Sequence, residues 1–267
     1  MKLNFIQKMK EKTRTFFVAL KEKIRGYYKG HGYTCDACGG EVFDYPTHRF
    51  CVNCEGKLFQ NVGKICPKCG RRTLAAGVCL ACKSHTPSFT FGYSPFVYRA
   101  ETAALINRMK NGAPMLSFYF SEKMAEYFLT SYQKIEHFKG EEKLLVIPVP
   151  LTKERRQVRG YNQAELLAEG FCEYLQARGY AVEMDLDVLQ KTRETGQQKH
   201  LDKKSRRENA SGAYHVHKRK ECKDRTIVLI DDIMTSGATG SECAARLKGA
   251  GAKEVLFVVA TALSELK

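Results

Sequence analysis

The chain lacks any apolar run long enough to cross a bilayer, and it has no low-complexity tract. Near its basic N-terminus the longest uninterrupted apolar run is Phe16-Phe-Val-Ala-Leu20. That is too short for a signal core or a membrane span, so a secretory leader is not expected. Acidic residues are scarce beside basic ones: 29 Asp and Glu face 44 Lys and Arg in 267 residues, a net charge of +15. Such an imbalance suits a polyanionic partner, be it nucleic acid, a phosphorylated metabolite or an anionic membrane; a solvated basic surface is the alternative. Apolar residues still make up 43%, enough to bury a core and to exclude wholesale disorder.

Cysteine, by contrast, is abundant. Eight of the eleven cysteines fall into four Cys-x-x-Cys pairs: Cys35/Cys38, Cys51/Cys54, Cys66/Cys69 and Cys79/Cys82. Two thiolates two residues apart can bind one tetrahedral ion from a tight turn, and two such turns complete a four-cysteine site. Cys38-Gly39 and Cys69-Gly70 carry the small residue that lets backbone amides turn toward sulfur. The short spacers favour consecutive pairing, Cys35, Cys38, Cys51 and Cys54 on one zinc and Cys66, Cys69, Cys79 and Cys82 on another; an interleaved cross-brace is the alternative. Both sites read as closed and structural, because a catalytic zinc keeps an open position. The spacing is poor for an iron–sulfur cluster, and the context for a redox dithiol is absent. A reducing cytoplasm is the setting these thiols imply. Cys172 and Cys243 sit in helical patterns and read as core residues.

Three segments differ in composition. Residues 1–30 are Lys/Arg-rich, and Leu3, Ile6, Met9, Phe16, Leu20, Ile24 and Tyr27 recur at helical spacing, which predicts a basic amphipathic helix. It could lie on a membrane surface or along DNA phosphates, or pack its stripe on the rest of the protein. Residues 31–88 hold the cysteine pairs, and 89–267 form a larger α/β domain. In that domain Leu144–Val149, Thr226–Ile230 and Glu254–Ala260 read as buried strands, with helices around 100–110, 115–134, 162–178 and 239–249. This alternation implies a parallel sheet flanked by helices. The aromatics of Phe91-Gly-Tyr-Ser-Pro-Phe-Val-Tyr98 suit either a packed β-hairpin or stacking on bases.

The strand from Thr226 ends in two carboxylates, Asp231 and Asp232, followed by Thr235-Ser-Gly-Ala-Thr239 and a helix. A loop opening a helix N-terminus offers unpaired N–H groups and positive dipole to a phosphate monoester. Gly237 permits close approach, Ala238 keeps the turn small, and the hydroxyls of Thr235, Ser236 and Thr239 add donors. Asp231 and Asp232 can accept from the 2′ and 3′ hydroxyls of a ribose or hold its Mg2+. The Gly-Lys-Ser/Thr ending of a nucleotide-hydrolase loop is missing.

This segment resembles the phosphoribosyl pyrophosphate (PRPP) loop of type I phosphoribosyltransferases: a hydrophobic strand, two acids, two apolar residues and a Thr/Ser-Gly-x-Thr turn. Further motifs are similar to the ComF (competence protein FC) branch. They are Ile147-Pro-Val-Pro150, Arg155-Arg-Gln-Val-Arg-Gly-Tyr-Asn-Gln-Ala-Glu-Leu-Leu-Ala168, Arg193-x-Thr195-x-x-Gln198-x-x-Leu201 with Arg206-x-x-Asn209, Arg108-Met-Lys110-x-Gly112, and the cysteine pairs ahead of the domain. Ser236 stands where Thr is usual and Tyr214 where Phe is usual. The resemblance implies a type I phosphoribosyltransferase fold preceded by a double zinc ribbon, four cysteines to each ion, and the basic helix. It implies PRPP bound with Mg2+, a pyrophosphate held by Arg155, Arg156 and Arg159, and a closing lid over 191–213 that carries Arg193 and Arg206.

It also implies handling of single-stranded DNA during natural transformation in the cytoplasm, with a competence helicase or other DNA-processing proteins as partners. The competing readings are an active phosphoribosyltransferase with an unidentified acceptor and a catalytically inactive zinc-ribbon nucleic-acid-binding protein. Lys2 follows Met1 where glutamine-dependent amidotransferases expose a catalytic cysteine, so glutamine-driven transfer is not expected.

Overall fold

The longest β-branched and aliphatic runs of the chain become neighbouring central strands of one sheet. They are β3 (Leu144–Pro148), β7 (Thr226–Met234) and β8 (Glu254–Ala262). The computed structural model describes residues 34–44, 47–132, 143–192 and 212–265. The basic helix expected over 1–30, Arg193, Arg206 and most of the expected lid lie outside these residues. The chain divides into two compact units, Met1–Gly56 and Lys57–Lys267, so the two cysteine groups fall in different units.

In the first unit the described residues form a cysteine knuckle, bridged at Thr34 and Glu41, and the short helix α1 (Val52–Gly56). The second unit opens with a matching knuckle, bridged at Ile65 and Arg72, and then α2 (Leu80–Ser84). The segment expected as a hairpin instead forms β1 (Phe91–Tyr93) and β2 (Phe96–Val97), and both pair with β8 in parallel. Its central rings are consumed by the core: Tyr93 and Phe96 are buried, and Phe96 meets Tyr119 and Phe120.

Helices α3 (Ala100–Lys110) and α4 (Leu116–Tyr132) follow, then β3, α5 (Lys153–Arg159) and α6 (Gln163–Gln176). Next come β4 (Val182–Met184) and the antiparallel pair β5 (Leu189–Lys191) and β6 (Tyr214–Val216). The chain then runs through α7 (Arg219–Cys222), β7, α8 (Ala238–Gly249) and β8.

The main sheet has the order β1-β8-β7-β3-β4, all pairs parallel, with β2 beside β8. Parallel strands buried on both faces need no alternation, which is why they read as continuous apolar runs. One face of the sheet packs on α4 and α6. The other carries Ile227, Leu229, Val255 and Phe257 against Cys243, Ala244 and Leu247 of α8, in the same core as Cys66, Cys69, Cys79 and Cys82. Gly240 admits this packing, since a Cβ there would sit 2.4 Å from the Phe257 ring.

Candidate functional site

β7 does not stop at Ile230. It continues through Asp231-Asp232-Ile233-Met234, with Asp231 opposite Val259 and Met234 opposite Ala262. Successive side chains of a strand point to opposite faces, so the adjacent acids diverge. Asp232 faces α3, where Lys110 Nζ lies 3.0 Å from its buried Oδ2. That contact is an ion pair without hydrogen-bond alignment, because among the described residues Oδ2 accepts no hydrogen bond. Asp231 lies on the α8 face, near Tyr214 and Cys243. Burial and then the charge of Asp232 push its carboxyl up to about 7, against the pull of the Asp232 amide, Lys110 and Lys191. Burial raises the Tyr214 phenol and the Cys243 thiol as well, so both stay protonated at neutral pH. Cys172 is likewise held up by burial, which fits its reading as a core residue.

Two ComF-like motifs meet at Lys110. The Tyr161 hydroxyl donates to the Met109 carbonyl and accepts from the Gly112 amide at 3.1 Å. Tyr161 therefore ties down the last turn of α3 and fixes where Lys110 emerges. Its neighbour Asn162 caps α6: its Oδ1 accepts from Ala164 N at 3.0 Å, and its Nδ2 donates to the Val149 carbonyl at 3.0 Å. The segment 155–168 is thus welded to the end of β3 and to α3 at once.

After Met234 the chain turns through Thr235, Ser236 and Gly237 into α8. Gly237 adopts φ 80° at the N-cap and supplies no side-chain cap, so the first-turn amides of α8 are not claimed by the cap residue. Ser236 Oγ accepts from Ala238 N at 3.3 Å, which tightens the turn. A cavity of about 330 Å³ borders the loop, with Ser236, Gly237 and Glu242 on one side and Arg71, Cys82 and His85 on the other.

The three expected pyrophosphate arginines are not equivalent. α5 starts at a Thr152 cap, whose hydroxyl accepts from Arg155 N at 3.3 Å. Arg156 bonds to Glu165, and Arg159 Nη1 donates to Gln163 Oε1 at 2.7 Å, so both are held by α6. Arg155 lies near Tyr214, where its charge opposes the rise of that phenol.

Both cysteine groups are assembled consecutively. Within each, the four sulfurs lie within 4.8 Å of one another. Cys38 and Cys51 sulfurs are 3.9 Å apart, and those of Cys69 and Cys79 are 3.7 Å apart. Tetrahedral Zn–S bonds of about 2.3 Å put sulfurs ~3.8 Å apart, so both groups fit a zinc ion. Amides already point at sulfur: Cys51 N to Cys35 Sγ at 3.2 Å and Cys79 N to Cys66 Sγ at 3.3 Å. Gly39 and Gly70 take φ 76° and 70° in the two knuckles, as the small residue after each second cysteine predicts.

Arg71 was invisible as a site residue in the sequence. Its Nε donates to Cys69 Sγ at 3.2 Å and its Nη2 to the Thr235 carbonyl at 3.0 Å. A hydrogen bond with Cys82 pulls the Cys69 thiol down to about 5; burial opposes this, and the Arg71 charge adds to it. Burial disfavours the charge on Arg71, but the Cys69, Cys79 and Cys82 sulfurs outweigh it and hold its pKa above the ordinary value. Lys110, Tyr161 and Tyr214 were legible only as members of motifs, without roles.

Residues 158–265 match the model of the phosphoribosyl transferase domain family. Among curated proteins the chain is similar to competence protein ComFC of Bacillus subtilis, at 27% identity over 73% of this chain and 75% of that protein. Competence protein F of Haemophilus influenzae is 32% identical over 41% of this chain and 46% of its own length. The DNA utilization protein YhgH of Escherichia coli O6:H1 is 32% identical over 41% of this chain and 45% of its own length. The chain thus spans about half the length of the latter two. No helix among the described residues is long and apolar enough to cross a membrane.

Proposed function

We propose, for a chain that belongs to the ComF (competence protein FC) family and has the type I phosphoribosyltransferase fold, that it binds PRPP or a related phosphoribose with Mg2+ and handles single-stranded DNA. One observation carries the ligand: two adjacent acids at the end of a central parallel strand, Asp231 half-buried and Asp232 buried, lead directly into a glycine turn at a helix N-terminus. That geometry offers amides and dipole to a 5′-phosphate. Asp231 and Asp232 are the groups that would accept the sugar hydroxyls or hold Mg2+, which would neutralise the diphosphate. Arg155, Arg156 and Arg159 would supply positive charge to a diphosphate, and Arg156 and Arg159 would exchange their bonds to Glu165 and Gln163 to do so. The zinc ions would fill the two four-cysteine groups, where they fix the knuckles rather than react.

DNA handling is supported by the net charge of +15 and by the competence and DNA-utilization names of the relatives. A thermal melt across a range of Mg-PRPP concentrations tests the ligand, because a native-state ligand raises the midpoint as its concentration rises. Pyrophosphate release, followed with and without single-stranded DNA, separates retention of PRPP from turnover. A midpoint that ignores Mg-PRPP at every concentration contradicts the proposal.

A further inference from the structure

The second cysteine knuckle is clamped to the β1 segment of the sheet, and it reaches the turn after β7 through Arg71. Gly92 N donates to the Lys68 carbonyl at 3.0 Å, and the backbones at Gly70 and Gly92 approach so closely that a Cβ on Gly70 would sit 2.2 Å from Gly92 O. The buried Asn61 Nδ2 reaches both Gly70 O at 2.6 Å and Ser94 O at 2.8 Å. Lys68 Nζ closes the same seam on Phe89 O and Thr90 O, at 2.5 and 3.0 Å. A knuckle clamped by this many backbone contacts cannot drift relative to the sheet.

From that fixed platform a single guanidinium reaches the loop. Arg71 is 5% exposed. It spans from a metal-ligand sulfur, Cys69 Sγ at 3.2 Å, to the carbonyl of Thr235 at 3.0 Å, the residue that starts the turn after β7. A buried guanidinium needs an anion beside it, and a cluster of four thiolates around a divalent ion keeps a net negative charge. The rigid fork of arginine can serve both partners at once, whereas the point charge of lysine cannot.

We infer that Arg71 is a positioning residue for the phosphate loop, through which the Cys66/Cys69/Cys79/Cys82 cluster sets the conformation and affinity of the Thr235–Thr239 turn. The inference rests on the phosphoribose reading for its ligand but not for its structural content. Orienting the Thr235 carbonyl fixes the peptide that precedes Ser236 and Gly237, so the amides that open α8 are presented in one arrangement before a phosphate arrives. Preorganisation of this kind raises affinity without adding a contact to the ligand.

The test compares wild type with Arg71→Lys and Arg71→Met in the full chain. Each is first checked for two zinc ions per chain and an unchanged far-ultraviolet spectrum. Hydrogen exchange of peptides covering 235–241 and calorimetric titration with Mg-PRPP are then measured. The expected result is faster exchange confined to the loop in both variants and affinity lowered about tenfold or more. Should Arg71→Met lose zinc, Arg71→Lys carries the test, since it keeps the charge beside Cys69 while losing the fork to Thr235. Loop exchange unchanged from wild type in a zinc-replete variant overturns the inference, whatever PRPP does. Failure of the wild type to bind Mg-PRPP overturns the phosphoribose reading alone, and altered loop exchange would then still support the role of Arg71.

Discussion

Lys110 Nζ stands 3.0 Å from Asp232 Oδ2, joining the last turn of α3 to the end of β7 across a nearly dry contact. The lysine forms an ion pair with this buried carboxylate, and it offsets that charge where solvent does not. Lys110→Met should strand the carboxylate and lower unfolding stability by roughly 1–3 kcal/mol. Adding Asp232→Asn should restore most of the loss. Urea unfolding of the two single variants and the double variant measures the coupling; additive losses would show that the pair contributes nothing.

Tyr161 sets the position of that lysine by bonding to Met109 O and Gly112 N. Tyr161→Phe keeps the ring and deletes both bonds, at a cost of about 1–2 kcal/mol. If the hydroxyl matters only for fold, Mg-PRPP affinity will not change. The expected outcome is a weaker complex as well, because Lys110 and Asp232 lose their fixed geometry.

Asp231 gives a pH dependence whose sign is set by its raised pKa of about 7, against an ordinary value of 3.8. The folded protein holds this proton more tightly than the unfolded chain does. The contribution to stability is therefore full below about pH 4 and is lost as pH rises toward 7. Asp231→Asn should remove that decline and raise the melting midpoint at neutral pH. Ligand binding should move the opposite way, since a carboxylate is the better acceptor for sugar hydroxyls. Wild-type affinity for Mg-PRPP should fall as pH drops from 8 to 6. An affinity that is flat over this range contradicts the assignment of Asp231.

The two cysteine groups should hold one zinc each. Metal analysis should give two ions per chain in the wild type and one in Cys35→Ser with Cys38→Ser. A variant that retains two ions would mean that the consecutive grouping is not the one that binds metal.

DNA contact through lysine and arginine should be salt-sensitive. Single-strand affinity is expected to fall on the order of 10- to 100-fold between about 50 and 200 mM salt. Fluorescence anisotropy of a labelled oligonucleotide measures this slope. A flat response would place the +15 charge outside the DNA contact.

The sequence made the sheet legible because its central strands are buried on both faces. Leu144–Pro148, the strand from Thr226 and the strand from Glu254 show as apolar runs that few other structures produce. The four long helices lie close to the expected ranges, and Asn162 caps the start of one. β1 and β2 were harder. Ser94-Pro95 punctuates two short aromatic runs as a hairpin would, but a parallel partner far downstream decides the pairing, and local spacing carries no trace of it. The site divides in the same way. The turn from Thr235 to Thr239 and the eight paired cysteines depend on local spacing, so both stand out as motifs. The opposed directions of Asp231 and Asp232 follow from how far β7 extends, which only its pairing with β8 fixes. Arg71 meets Thr235 across 164 positions, a contact that exists only after the knuckle has docked.

Calorimetric titration of Mg-PRPP into the wild type and into Asp231→Asn with Asp232→Asn is the most direct measurement of the ligand site. Saturable one-to-one binding is expected in the wild type and none in the double variant, which should keep both zinc ions and its fold. Equal affinity in the two proteins would contradict the assignment of that site.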